Sequence, residues 1–242
     1  MCFDGKKAVI IGGTGGIGKF VTQELAKTKC NLVIQGRHFS KDMQCQNIKQ
    51  IIQNFDFHQN DFFSNLCASN IYEEVKNADI LIVCYGPFFQ QKLHLTSAEQ
   101  WNQYVSLNLT MPGVLISAAL PKMIEKNFGR IIVFGGTGTE NISGFLTNPV
   151  YAAAKTGLCS LVKSVAAKYT ENGITCNAIL PAQVQIESLS ANEIDKYKMK
   201  MPQKKLIDGT VVAKTVIYLL ENSEFSGSLI TMDGGWQRNK KN

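Results

Sequence analysis

Apolar residues along this chain fall into two alternating rhythms, short unbroken runs and longer stretches with a period of about 3.6. Lys7 to Ile11 is a short apolar run that predicts a strand, and Phe20, Val21 and Leu25 among polar neighbours predict a helix to about Lys29. Asn31 to Ile34 reads as a second strand. Gln44 to Gln53 is expected to be a polar-faced helix, and Phe55-Asp56-Phe57-His58 alternates as a strand does. A short helix follows over Asn70 to Lys76, then a continuous apolar run, Asp79 to Tyr85, of the kind buried on both faces of a sheet. Thr96-Ser97-Ala98-Glu99 carries capping chemistry for a helix that continues past Pro112 towards Ile124. Ile131 to Phe134 is the next strand, and a loop from Gly135 to Pro149 feeds a helix over Val150 to Tyr169. Gly173 to Leu180 predicts a strand, Gln183 to Lys205 a polar mobile segment, Val211 to Leu220 a last helix and Ser228 to Thr231 a last strand. Strands alternating with helices predict an α/β fold with a parallel, doubly wound sheet.

Composition narrows the classes. The chain has 242 residues, of which 45% are hydrophobic, enough for one sizeable core. No linker, repeat or low-complexity tract divides it, so a single domain over 1–242 is expected. The 7 cysteines are scattered without a C-x-x-C, which argues against a disulfide framework or a metal site and for a reducing compartment. After Met1 the charges are followed at once by a glycine turn rather than an apolar leader, and no apolar run is read as a membrane span; a cytoplasmic protein is expected. The net charge of +6 suits an anionic cofactor or an ordinary solvated surface. No dense basic block interleaved with aromatics is present, so nucleic acid is not an expected partner.

Three stretches carry chemistry. Gly12-Gly13-Thr14-Gly15-Gly16-Ile17-Gly18 lies between a predicted strand and helix, where glycines allow a tight turn and a helix N-terminus offers free N–H groups to a phosphate. Two spacings fit, Gly13-x-Gly15-x-x-Gly18 and Gly12-x-x-x-Gly16-x-Gly18. The second strand ends in Gln35-Gly36-Arg37-His38 without the acid that would bind an adenosine ribose; Gly36 leaves space and Arg37 can pair with a 2′-phosphate, which points to NADP(H). Tyr151 and Lys155 lie a turn apart on one helix face, where a cation lowers a phenol's pKa towards neutral.

With these motifs in order, the chain resembles the classical short-chain dehydrogenase/reductase family over nearly its whole length, most like its 3-oxoacyl-acyl-carrier-protein reductases. The resemblance implies a single-domain, Rossmann-type, three-layer α/β/α fold, with about 183–207 flanking the substrate. Gly12, Gly16 and Gly18 fit the family's glycine turn, although Ile11 stands where it has a threonine. The resemblance implies cofactor contacts from Gly12, Thr14, Gly15, Gly16, Ile17, Gly18, Arg37, Asp61, Tyr85, Gly86, Tyr151, Lys155 and Pro181. Asn108 matches an active-site asparagine, Asn177 and Pro181 match N-x-x-x-P, and Asp233-Gly234-Gly235 matches a C-terminal D-G-G. NADPH would reduce a small-molecule ketone or 3-oxoacyl carbonyl, with Tyr151 as proton donor, Lys155 beside it and Asn108 ordering a relay water. A homo-dimer or homo-tetramer is implied in the same way.

The departures concern the chemistry. N-N-A-G reads Val83-Cys84-Tyr85-Gly86, P-G reads Pro181-Ala182, and Ile186 replaces a nicotinamide-facing threonine. The catalytic serine falls on Gly136 counted from Gly129-Arg130, or on Gly138 counted back from Tyr151. Thr137, Thr139 and Ser143 are the nearest hydroxyls, and Thr137 is the expected replacement. Losing one such donor costs on the order of 10²–10³ in rate. Three readings therefore stand: an NADPH-dependent carbonyl reductase, a related enzyme with a shifted reaction, and a non-catalytic NADP(H)-binding sensor or scaffold. Phe88, Phe89, Leu93 and Gln183 to Met201 would flank a partly apolar substrate pocket.

Overall fold

The expected strand–helix alternation runs through the computed structural model, which describes residues 3–236 apart from 39, 44, 45 and 56–60. Strand β1 (Lys7–Ile11) leads to helix α1 (Gly16–Leu25), then β2 (Asn31–Gly36) and β3 (Ile48–Ile52). Helices α2 (Phe62–Cys67) and α3 (Asn70–Lys76) precede β4 (Ile80–Val83). Next come α4 (Ala98–Val105), a π-helical turn (Ser106–Thr110), α5 (Met111–Glu125) and β5 (Gly129–Phe134). Helix α6 (Pro149–Tyr169) returns to β6 (Ile174–Pro181), followed by β7 (Val184–Gln185), α7 (Ala191–Lys200), β8 (Ile207–Asp208), α8 (Gly209–Glu221) and β9 (Leu229–Met232).

Among the described residues, seven strands form one parallel sheet in the order β3-β2-β1-β4-β5-β6-β9, while β7 and β8 pair with each other. Alternation along β1 sends Ala8 and Ile10 to one face and Val9 and Ile11 to the other. The first face is covered by α1 and α8 through Val21, Leu25, Val212 and Val216. The second is covered by α3, α5 and α6 through Ile71, Val75, Leu115, Leu158 and Val162. Burial on both faces explains why these strands read as unbroken apolar runs. Chain order reverses between β1 and β4, and the crevice that opens beyond their carboxyl ends is where open α/β sheets take ligands.

Three expectations are corrected, and a fourth falls mostly outside the described residues. The segment read as a helix over Gln44 to Gln53 contains β3, whose Ile48, Ile51 and Ile52 satisfy a helical period as well as a strand; pairing with β2 decides it. The strand expected at Phe55 to His58 begins after β3 has ended, and its residues 56–58 lie outside those described. Within the polar segment Gln183 to Lys205 stands α7, started by a capping box in which Ser190 and Glu193 satisfy each other's end. Lastly, the helical rod from Ala98 to Glu125 is 28 residues long with a window of mean hydropathy 1.3, so by length and composition it is long enough to cross a membrane. Half of that window is buried inside the fold, as in a core helix.

Candidate active site

The glycine turn after β1 uses the Gly12, Gly16, Gly18 spacing. Gly12 and Gly16 have φ of 77° and 52°, and a Cβ on Gly18 would stand 2.1 Å from the Gly12 carbonyl oxygen. Helix α1 therefore starts pressed against the strand it follows. Gln35 on β2 bolts the turn in place: its Oε1 accepts from the Gly12 N–H at 2.9 Å and its Nε2 donates to the Gln53 carbonyl at 2.6 Å. Nothing in the sequence pattern singled out this buried glutamine. No side chain caps α1 from Gly15, and its first turn holds no acid. Instead the Gly16 N–H donates to Glu187 Oε1, from the segment after β7, at 3.2 Å. A carboxylate thus stands where a phosphate would, which is direct support for the fit of an anionic cofactor at this turn.

Beyond β2, the space expected over Gly36 is filled. A Cβ there would lie 1.9 Å from Thr14 Oγ1, so Gly36 accommodates the glycine turn's own threonine rather than a ligand. Arg37 and His38 follow, both exposed. Tyr85, at the end of β4, crosses close over Gly12, and its ring packs edge-on against Phe55 at 5.3 Å. Burial pushes the Tyr85 phenol up, and the Arg37 guanidinium pulls it the other way. Asp61 is exposed in a left-handed conformation, φ 62°, before α2. Ile17 packs towards the α1/α8 core, and Pro181 closes β6 beside Met232 of β9.

A second cluster gathers on the other side of β4. A Cβ on Gly86 would lie 2.7 Å from Lys155 Nζ and 2.8 Å from Asn108 Oδ1, so only a residue without a side chain lets α6 and the π-helical turn meet there. Asn108 is fully buried; its Nδ2 donates to the Pro87 and Tyr104 carbonyls, and its Oδ1 has no partner. Lys155 Nζ donates to the Phe134 carbonyl at 2.7 Å and sits 5.9 Å from the centre of the Tyr151 ring. Phe88 meets that ring edge-on at 5.1 Å, and Phe89 stacks on Tyr104 at 4.0 Å.

Tyr151 behaves differently from expectation. Burial pushes its phenol up to about 12, the direction opposite to the one a neighbouring cation gives. Burial also brings Lys155 down to about 8, against smaller opposing effects of the Cys159 and Cys84 thiols. The pair forms a tyrosine that holds its proton beside a lysine able to release one.

Of the two glycines counted as the serine position, Gly136 is the one that faces the Tyr151 phenol. A Cβ there would lie 3.3 Å from the Tyr151 hydroxyl and 3.1 Å from its ring, whereas Gly138 turns the loop with φ 85°. Thr139 is occupied elsewhere: its hydroxyl bonds the Gly136 N–H and carbonyl at 3.2 and 2.7 Å. Ser143 lies further out on the exposed loop. The Thr137 hydroxyl is buried without a hydrogen-bond partner. Among the described residues, no group of three or more His, Cys, Asp or Glu converges as a metal site.

Residues 6–197 match a family model described as short chain dehydrogenase. A D-beta-hydroxybutyrate dehydrogenase of Rhizobium meliloti is 28% identical, over 96% of this chain and 98% of that protein. A 3-oxoacyl-acyl-carrier-protein reductase, FabG, of Buchnera aphidicola is 29% identical over 95% and 96%. Among solved structures, ElxO with NADP bound matches with a TM-score of 0.80 over 96% of this chain and 98% of that one, a likeness of fold at 24% identity.

Proposed function

This chain belongs to the short-chain dehydrogenase family, oxidoreductases that work with a nicotinamide cofactor, and from that premise we propose that it reduces a ketone or 3-oxoacyl carbonyl to an alcohol using NADPH. The gathering of Tyr151, Lys155 and Asn108 around Gly86, next to a glycine turn that holds an anion, carries this reading. The cofactor supplies the hydride. Tyr151, protonated up to about 12, donates its proton to the carbonyl oxygen throughout the neutral range. Lys155, at about 8, keeps most of its charge at pH 7 and stabilises the phenolate as the proton leaves. The unpartnered Asn108 Oδ1 accepts from a relay water that returns the proton. Gly136 leaves the carbonyl oxygen one donor short, and Thr137 has the free hydroxyl to compensate. The exposed Arg37, with no acid at the end of β2, supports NADP(H) over NAD(H). Gly12, Thr14, Gly15, Gly16, Gly18, Asp61, Tyr85 and Pro181 are proposed to frame the cofactor. The proposal extends to one dinucleotide-binding unit over 1–242 that assembles as a homo-dimer or homo-tetramer.

The relatives' names make 3-oxo compounds the first substrates to try. NADPH consumption followed optically against ketones and 3-oxoacyl thioesters, with NADH as control, is expected to reveal turnover. Tyr151→Phe is expected to lose at least about 10²-fold in kcat, the usual contribution of a positioned acid. Full activity in that variant would refute the mechanism. A second reading, a sensor or scaffold that binds NADP(H), is favoured by the absence of any side chain at Gly136. Tight NADPH binding with no turnover on the whole panel would support it.

A further inference from the structure

Glu187 projects from the four residues that join β7 to the cap of α7, and its carboxylate reaches the start of α1. Gly16 N–H donates to Oε1 at 3.2 Å, a Cβ on Gly15 would lie 3.7 Å from the same oxygen, and one on Gly16 would lie 3.9 Å from Ile186 Cδ1. Ile186 and Glu187 therefore lie together over the glycine turn. Gly15 supplies helix α1 with no side-chain cap, and the helix's own first turn is without acid. A dinucleotide's diphosphate would need these same N–H groups, and two like charges do not share one helix N-terminus.

We infer that Glu187 is an internal competitor for the diphosphate, so that an anionic dinucleotide must displace its carboxylate from Gly16 and carry the 186–189 turn away from the crevice. The inference rests on the proposed cofactor reading. The turn is anchored at both ends. On one side β7 is held by pairing with β8, on the other Ser190 is held by its capping box with Glu193, and between them the Leu189 N–H closes onto the Ile186 carbonyl at 3.2 Å. Displacing Glu187 then re-aims the stretch that flanks the substrate, which couples cofactor arrival to the shape of the substrate pocket. If the contact is formed in nine-tenths of molecules, the apparent affinity for the dinucleotide is reduced about tenfold.

The test is a direct NADPH titration of the full chain, wild type beside Glu187→Gln and Glu187→Ala. Glu171→Gln is the control for charge, since Glu171 lies at the amino end of β6, while the glycine turn lies at the carboxyl ends of the strands. Both Glu187 variants are expected to lower Kd by roughly tenfold and the control by less than twofold. Hydrogen exchange at 186–189 is expected to quicken when NADPH is added to the wild type, and to be quick from the start in Glu187→Ala. An unchanged or weaker Kd in both Glu187 variants overturns the inference while leaving the cofactor reading intact. Slower exchange at 186–189 with NADPH does the same. Failure of all four proteins to bind NADPH overturns the cofactor reading itself, and the inference with it.

Discussion

At Gly136 the absence of one side chain decides how much chemistry Tyr151 must do alone. A Cβ there would sit 3.3 Å from the phenol oxygen, so Gly136→Ser would bring a hydroxyl to the carbonyl that Tyr151 is proposed to protonate. The ring has to yield by a few tenths of an ångström, because the same Cβ lies 3.1 Å from it. Gly136→Ser is expected to raise kcat by about tenfold or more, within the range that one oxyanion donor contributes. Steady-state kinetics on whichever ketone the wild type turns over would measure it, and a lower kcat would mean that Thr137 already fills the role. The titrations of Tyr151 and Lys155 make a second prediction. Tyr151 at about 12 remains an acid to high pH, whereas Lys155 at about 8 loses its charge as pH rises through that value. The kcat/KM of reduction is therefore expected to be level below about pH 7 and to fall on the alkaline side of about 8, where the deprotonated lysine no longer favours the phenolate. A profile flat to pH 10 would show that the charge is not used. Tyr151, Lys155 and Asn108 were legible as candidate residues because their spacings survive in the chain, whereas two counts put the missing serine at Gly136 or at Gly138. The direction of the Tyr151 shift was not, because it depends on burial, which a four-residue spacing does not encode.

Elements impose their own constraint at the start of α1. Gly18 is the third residue of α1 and faces the Gly12 carbonyl, and the 2.1 Å approach of a built Cβ leaves no room without moving the helix. Gly18→Ala is expected to destabilise the protein by about 2 kcal/mol, as overpacking of a close backbone contact does, and to weaken NADPH binding through the displaced N-terminus. Urea unfolding and the NADPH titration check the two parts. A variant with wild-type midpoint and Kd would show that α1 tolerates the shift. Glycine spacing and the Ser97 cap were readable because each acts within a few residues of chain. By contrast, β3 was misread because it lies at the sheet edge with only β2 beside it, and its three isoleucines suit either period. The π-helical turn that delivers Asn108 left no trace in the pattern, since one extra residue in a helix keeps nearly the same apolar rhythm.

Across the whole molecule, the site is assembled from residues that the chain keeps far apart. Gly12 meets Tyr85, Gly86 meets both Asn108 and Lys155, and Gly16 meets Glu187, all at the carboxyl edge of the sheet. The rod from Ala98 to Glu125 makes the same point about burial: its composition alone suits a membrane, but packing of Leu115 and Ala119 on the sheet makes it a core helix. The sequence by itself determined the alternation of strands and helices, the parallel sheet, the family resemblance and the positions of the glycine turn and the Tyr151–Lys155 pair. Those are properties of local period and short spacing, which the chain carries without reference to its fold. Only the tertiary structure decided that Thr14 fills the space over Gly36, that Gly136 rather than Gly138 faces the phenol, that Gln35 bolts the turn and that Glu187 occupies the start of α1. Each of these is a contact between groups on different elements, set by where the sheet brings strand ends together, and no pattern along the chain contains that distance.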